Sequence, residues 1–122
     1  MKQNKILVVD DSPMIRRIVG QILRDCGYQY ILAENGKRGY ETAKQELPDL
    51  VIMDIEMPEM DGFEATRLIK SDPDTAHIPV LFFTSMGREE DILRAEQAGG
   101  LGFMNKPISK EDLETSLKRI LV

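Results

Sequence analysis

Four short runs of apolar residues punctuate the chain: Ile6-Leu7-Val8-Val9, Tyr30-Ile31-Leu32-Ala33, Leu50-Val51-Ile52-Met53 and Val80-Leu81-Phe82-Phe83. Continuous hydrophobicity over four residues is the pattern of a strand buried on both faces. A weaker run, Gly102-Phe103-Met104, predicts a fifth strand. Between the runs the apolar period lengthens to three or four, as in helices. Met14, Ile15, Ile18, Val19, Ile22, Leu23 and Cys26 form one such stripe, with Ser12 as its N-cap, Pro13 as its first residue and Gly27 as its stop. Asn35 caps a second helix through about Glu46, which ends before Pro48. Asp61 and Glu64 have capping-box spacing for a third, with Phe63, Leu68 and Ile69 on its apolar side. A fourth runs through Ile92, Leu93, Ala95 and Ala98 to Gly99-Gly100, and a fifth starts at Ser109 and carries Leu113, Leu117, Ile120 and Leu121. Strand and helix alternate five times. That order predicts an α/β fold, a five-stranded parallel sheet doubly wound by five helices.

The chemistry follows from where such a sheet places its polar residues. Ligands of open parallel sheets lie beyond the carboxyl ends of the strands. Asp10 and Asp11 follow the first strand, Asp54 the third, Thr84 and Ser85 the fourth, and Asn105 and Lys106 the fifth. A nucleotide-binding turn needs glycines for close approach of backbone to phosphate. Asp10-Asp11-Ser12-Pro13 supplies negative charge instead. Clustered carboxylates call for a hard cation, and Mg²⁺ takes one or two carboxylates together with a phosphate oxygen. Lys106 adds a point charge suited to phosphate, and Thr84 a hydroxyl that can donate to an oxyanion. A carboxylate nucleophile in that setting predicts phosphoryl transfer through an aspartyl phosphate. Taken singly, each residue has a plainer reading: Asp10-Asp11 as helix caps, Lys106 as a solvated surface residue, Thr84 as an ordinary strand residue.

Composition narrows the classes. The 122 residues make one domain of ordinary length. With 42% hydrophobic and 30% charged residues the chain reads as globular, not disordered. A net charge of −5 argues against a protein held to nucleic acid backbone or to an anionic membrane. The lone Cys26 excludes an internal disulfide and fits a reducing, cytoplasmic compartment. The four apolar residues before Asp10 are too few for a signal peptide core or a membrane span. His77 has no companion ligand and reads as structural, and Cys26 is expected to be buried and inert.

The order Asp10-Asp11, Asp54-Ile55-Glu56-Met57-Pro58, Gly62, Thr84 and Lys106-Pro107 resembles the receiver domain of two-component response regulators over essentially the whole chain, positions 1–122, with no output domain left over. Arg16-Arg17-Ile18-Val19 and Ala95-Glu96-Gln97-Ala98-Gly99 resemble the CheY-like single-domain chemotaxis type. The resemblance implies a flavodoxin-like strand order 2-1-3-4-5. It implies that Asp54 accepts a phosphoryl group from a sensor histidine kinase or phosphotransfer protein. Asp10, Asp11, Asp54 and the backbone carbonyl of Glu56 would hold Mg²⁺. Lys106 would pair with Asp54 and then with the phosphoryl group, aimed by a cis bond to Pro107. Thr84 and Phe103 would act as the switch, altering the face of helix four, strand five and helix five for a protein target, as a monomer or a phosphorylation-dependent dimer. Such a domain is no enzyme in the turnover sense, though it catalyses its own phosphorylation and dephosphorylation.

Two departures stand out. Phe103 lacks the hydroxyl of the tyrosine usual in the chemotaxis type. Arg88-Glu89-Glu90-Asp91 is largely acidic where that type begins helix four with paired lysines, so flagellar motor binding does not carry over. Glu56, two residues past the acceptor, could crowd a phosphoryl group or orient water. At that spacing it could also serve as the general acid of a Mg²⁺-dependent phosphohydrolase. The phosphohydrolase, and a receiver-like binding module that never uses the chemistry, are the alternatives.

Overall fold

A computed structural model describes residues 3–84, 89–106 and 109–121; of Glu89, Glu90, Asp91 and Phe103 it describes the backbone alone. The elements follow the predicted alternation: β1 (Lys5–Val9), α1 (Pro13–Asp25), β2 (Gln29–Ala33), α2 (Gly36–Glu46), β3 (Leu50–Asp54), α3 (Gly62–Ser71), β4 (Val80–Thr84), α4 (Glu89–Ala98), β5 (Gly102–Asn105) and α5 (Lys110–Ile120). All pairings are parallel, in the order β2-β1-β3-β4-β5. The helix starts are built by local side chains. Ser12, Asn35, Asp61 and Ser109 accept from the backbone N–H of Ile15, Arg38, Glu64 and Asp112 respectively. Each cap satisfies a donor the helix cannot. Gly27, at φ 87°, supplies the left-handed step after α1.

Period-two alternation divides the core between the sheet's faces. Leu7, Val9, Val51, Met53, Val80 and Phe82 face one way, against Ala43, Phe63, Ile69, Ala95 and Ala98 of α2, α3 and α4. Ile6, Val8, Leu50, Ile52, Leu81 and Phe83 face the other, against Val19, Leu23, Leu113 and Leu117 of α1 and α5. Full burial of each large side chain is worth about 1.5–3 kcal/mol, and Leu7, Leu23, Leu50, Phe63 and Phe82 are all completely enclosed.

Several apolar residues lie elsewhere than their pattern suggests. β2 is not buried on both faces: it is an edge strand, with Tyr30 and Leu32 exposed. Met14, Ile18, Leu68, Ile92 and Leu93 are also exposed, because the stripe each helix buries is narrower than its apolar count. Cys26 is the C-cap of α1 and only partly buried, not enclosed. Its thiol pKa is raised, first by burial and then by a hydrogen bond with Glu114, which keeps it in the unreactive form. His77 is exposed in the loop before β4.

Candidate functional site

The carboxyl ends of β1, β3 and β5 bring four charged residues together. Asp10 follows Val9 directly and is 2% exposed, and Asp54 closes β3 at 3%. Asp11 is exposed beside them. One carboxylate oxygen from each of the three lies within 4.8 Å of the others. Lys106 follows β5, and its Nζ sits 2.8 Å from Asp10 Oδ2 and 3.1 Å from Asp54 Oδ1. Its backbone N–H donates to Thr84 O at 2.6 Å, which fixes the lysine to the end of β4. Its ammonium also lies 5.1 Å from the Phe83 ring centroid, close enough for a favourable cation–π contact. Thr84 is buried at the same rim.

Asp10 is held by the local fold. Its Oδ1 accepts from Ser12 N–H at 2.9 Å, and its backbone carbonyl accepts from Arg16 Nη1 at 2.7 Å. One oxygen of Asp10 therefore orders the turn before Ser12, the residue that caps α1, and the other faces Lys106. The pairing of Lys106 with Asp10, shorter than that with Asp54, was not legible in the sequence, nor was the role of Arg16.

Electrostatics make Asp54 unusual. Burial pushes its carboxyl up, the nearby Asp10 charge pushes it further, and Lys106 opposes both, leaving it at about 6. Burial also works against the charge of Lys106, but the hydrogen bond to Asp10 and the charge of Asp54 outweigh it and hold the ammonium above its ordinary value. One ammonium set against three carboxylates leaves the cluster two negative charges in excess. All available donors are oxygens. The donor set and its charge fit a hard divalent cation such as Mg²⁺. The exposed Glu56 lies on the rim with Asp11, where a cavity of about 460 Å³ is lined also by Met57, Asp61, Phe63 and Arg94.

Two expected participants fall partly or wholly outside the described residues. The backbone of Phe103 pairs with Phe82 in the β4–β5 ladder, but its side chain lies outside them. Pro107, and with it the expected cis bond, lies outside them too. No helix among the described residues is long and apolar enough to cross a membrane.

The chain is similar in sequence and fold to known proteins. The chain is 38% identical over 117 residues to protein PilH of Pseudomonas aeruginosa, covering 96% of this chain and 97% of that one. Chemotaxis protein CheY4 of Vibrio cholerae superposes with a TM-score of 0.93 at 31% identity, covering 98% of this chain and 99% of that one. The receiver domain of sensor histidine kinase PA1611 from P. aeruginosa, solved with a magnesium ion coordinated in its active site cleft, superposes at 0.91 and 28% identity, covering 98% of each chain. The family model of the response regulator receiver domain matches residues 6–118. With that match laid over the three acids and the lysine at the sheet's rim, the chain belongs to the response regulator receiver domains of two-component signalling, and it is a phosphoacceptor switch of the CheY-like type.

Proposed function

We propose that Asp54 is the phosphoacceptor, taking its phosphoryl group from a phosphohistidine on a sensor kinase or phosphotransfer protein. An Asp54 carboxylate oxygen would attack phosphorus. The P–N bond to the donor imidazole breaks, its electron pair stays with the imidazole nitrogen, and that ring is neutral or takes up a proton from solvent. Asp10, Asp11 and the backbone carbonyl of Glu56, together with Asp54, would hold Mg²⁺, which supplies positive charge to the transferring oxygens. Lys106, already bridging Asp10 and Asp54, follows the acceptor and pairs with the bound phosphoryl group. Thr84 donates its hydroxyl to a phosphoryl oxygen, and Phe103 follows it inward, shifting the population of the face formed by α4, β5 and α5. That face meets a downstream protein. The same groups give the domain its own phosphorylation and dephosphorylation activity, and its working compartment is the cytoplasm.

The observation that carries this reading is Lys106 Nζ lodged between Asp10 at 2.8 Å and Asp54 at 3.1 Å. It preorganises the cation that a dianionic phosphoryl group requires. Incubation with acetyl phosphate and Mg²⁺, read by intact mass, should add about one phosphoryl group per chain. Asp54→Asn should add none, and omission of Mg²⁺ should suppress labelling. Equal labelling of Asp54→Asn would assign the acceptor elsewhere.

A further inference from the structure

The described side chains of α4 give the helix little apolar anchorage. Ala95 and Ala98 are buried, while Ile92 and Leu93 are exposed. Two alanines contribute small area and no directionality. Arg94 supplies what they lack. Its guanidinium carbon stands 4.3 Å from the Phe63 ring centroid, and its Nη2 lies 3.9 Å from Asp61 Oδ2.

Both partners belong to the start of α3, and that start is seated on the acceptor strand. Gly62 N–H donates to Ile55 O at 2.9 Å, and a Cβ at Gly62 would collide with the backbone carbonyl of Asp54. The other carboxylate oxygen of Asp61 caps α3 through Glu64 N–H at 2.9 Å. Phe63 is fully enclosed and packs on Phe82 with centroids 5.3 Å apart. A continuous line of contacts therefore runs from the backbone of Asp54 and Ile55, through Gly62, to Asp61 and Phe63, and across to α4. Arg94 also shares the wall of the rim cavity with Asp11 and Glu56. Among the described residues lining that cavity, Arg94 is the one cation, beside the acids Asp11, Glu56 and Asp61.

We propose that Arg94 is a positioning residue that clamps α4 to the first turn of α3, coupling the occupancy of the acceptor site to the placement of α4. This rests on the phosphoacceptor reading above and adds to it a route through α3. The route runs through α3, and neither Thr84 nor Phe103 is one of its steps. Coupling is reciprocal: whatever repositions α4 changes the acceptor loop by the same free energy. A partly exposed cation–π contact and a rim ion pair together correspond to about a three- to tenfold effect.

Hydrogen exchange of the α4 amides tests the clamp, with and without Mg²⁺ plus beryllofluoride as phosphoryl mimic, in wild type, Arg94→Ala, Arg94→Lys and Asp61→Asn. All three variants alter exposed or half-exposed side chains, and asparagine caps a helix as well as aspartate does. In free Arg94→Ala, α4 should exchange about three- to tenfold faster, and the step produced by the mimic should shrink by a similar factor. Arg94→Lys should recover part of both. Asp61→Asn should loosen α4 while leaving α3 protection intact, which a merely structural role at the α3 start would not do. Acetyl phosphate labelling of the same preparations separates the two ideas. Normal labelling with α4 exchange identical in wild type and Arg94→Ala, in both states, overturns the clamp alone. An unlabelled wild type overturns the acceptor reading and the clamp with it.

Discussion

Single residues carry costs that the function explains in one case and not in another. Asp54 is buried close to a second buried carboxylate, and burial and that neighbour push its carboxyl up to about 6. On the proposal that Asp54 is the acceptor, that cost falls on a carboxylate that must be desolvated and held by Lys106. Thr66 on α3 is different. Its side chain is completely buried, and its hydroxyl is the one buried side-chain oxygen or nitrogen among the described residues with no hydrogen-bond partner. An unsatisfied buried hydroxyl costs free energy that an apolar group of the same shape does not. Thr66→Val should therefore raise stability by about 1 kcal/mol, read as a higher urea midpoint at unchanged slope. A lower midpoint would mean the hydroxyl is bonded after all. Arg94 shows the limit of reading residues one at a time. Nothing in the local sequence distinguishes it from any exposed arginine on a helix. Its partners Asp61 and Phe63 come from another element, so its role appears only once α3 and α4 are packed.

Elements were legible wherever their causes are local. Ser12-Pro13, Asn35, Asp61 and Ser109 each announce a helix because a cap acts within three residues of itself, and each caps as expected. Burial was less legible. The run Tyr30–Ala33 reads like Leu50–Met53, yet one forms an edge and the other the centre, since position in the sheet is decided by strand order and not by the run itself. Packing between helices is also long-range, and one such tie makes a prediction in pH. Tyr40 of α2 donates its hydroxyl to Asp72 Oδ2 at 2.6 Å, and Lys44 Nζ lies 2.9 Å from the same oxygen. Asp72, the C-cap of α3, thereby joins the two helices. The Tyr40 hydrogen bond, then Lys44, then the backbone N–H of Asp74 lower its carboxyl from 3.8 to about 2. A carboxyl whose folded pKa is depressed stabilises the fold above its unfolded value and loses that contribution as pH falls through the folded one. Asp72→Asn should therefore be less stable than wild type near neutrality. The gap should narrow as pH falls below about 4 and close near about 2. Denaturant titrations at a series of pH values provide the check, and a gap that persists unchanged at the acid end would mean the tie is not ionic.

At the scale of the whole molecule, the sheet makes one site from residues that the chain keeps far apart. Parallel strands all end on the same side, so Asp10, Asp54, Thr84 and Lys106 arrive at one rim because β1, β3, β4 and β5 are neighbours in register. That is why the acids and the lysine could be assigned from sequence through the strand-end rule, while the bridge from Lys106 to Asp10, a matter of a few ångströms, could not. The same geometry links ligand binding to global stability. In the fold, three carboxylates gather within 4.8 Å of one another and Lys106 pairs with two of them, whereas the unfolded chain holds them apart. A cation that binds the folded cluster and not the unfolded chain stabilises by mass action, about 2.7 kcal/mol at a concentration a hundredfold above its Kd. Mg²⁺ should accordingly raise the Tm of the wild type by several degrees. Asp54→Asn removes one of the two buried like charges and leaves Lys106 its shorter contact with Asp10. Without Mg²⁺ at neutral pH that variant should be more stable than wild type by roughly 1–3 kcal/mol, the scale of the raised Asp54 carboxyl. The sign follows from the direction of that shift: the ionised form is the disfavoured one, so the advantage of Asp54→Asn is largest above about 6 and vanishes below about 4. Its Mg²⁺ increment should be smaller than that of wild type, since one oxygen donor has lost its charge. Thermal melts of both proteins with and without Mg²⁺ read all of these effects together. Equal Mg²⁺ increments in the two would place the cation away from Asp54, and a variant less stable than wild type without Mg²⁺ would mean that attraction to Lys106 outweighs the repulsion from Asp10.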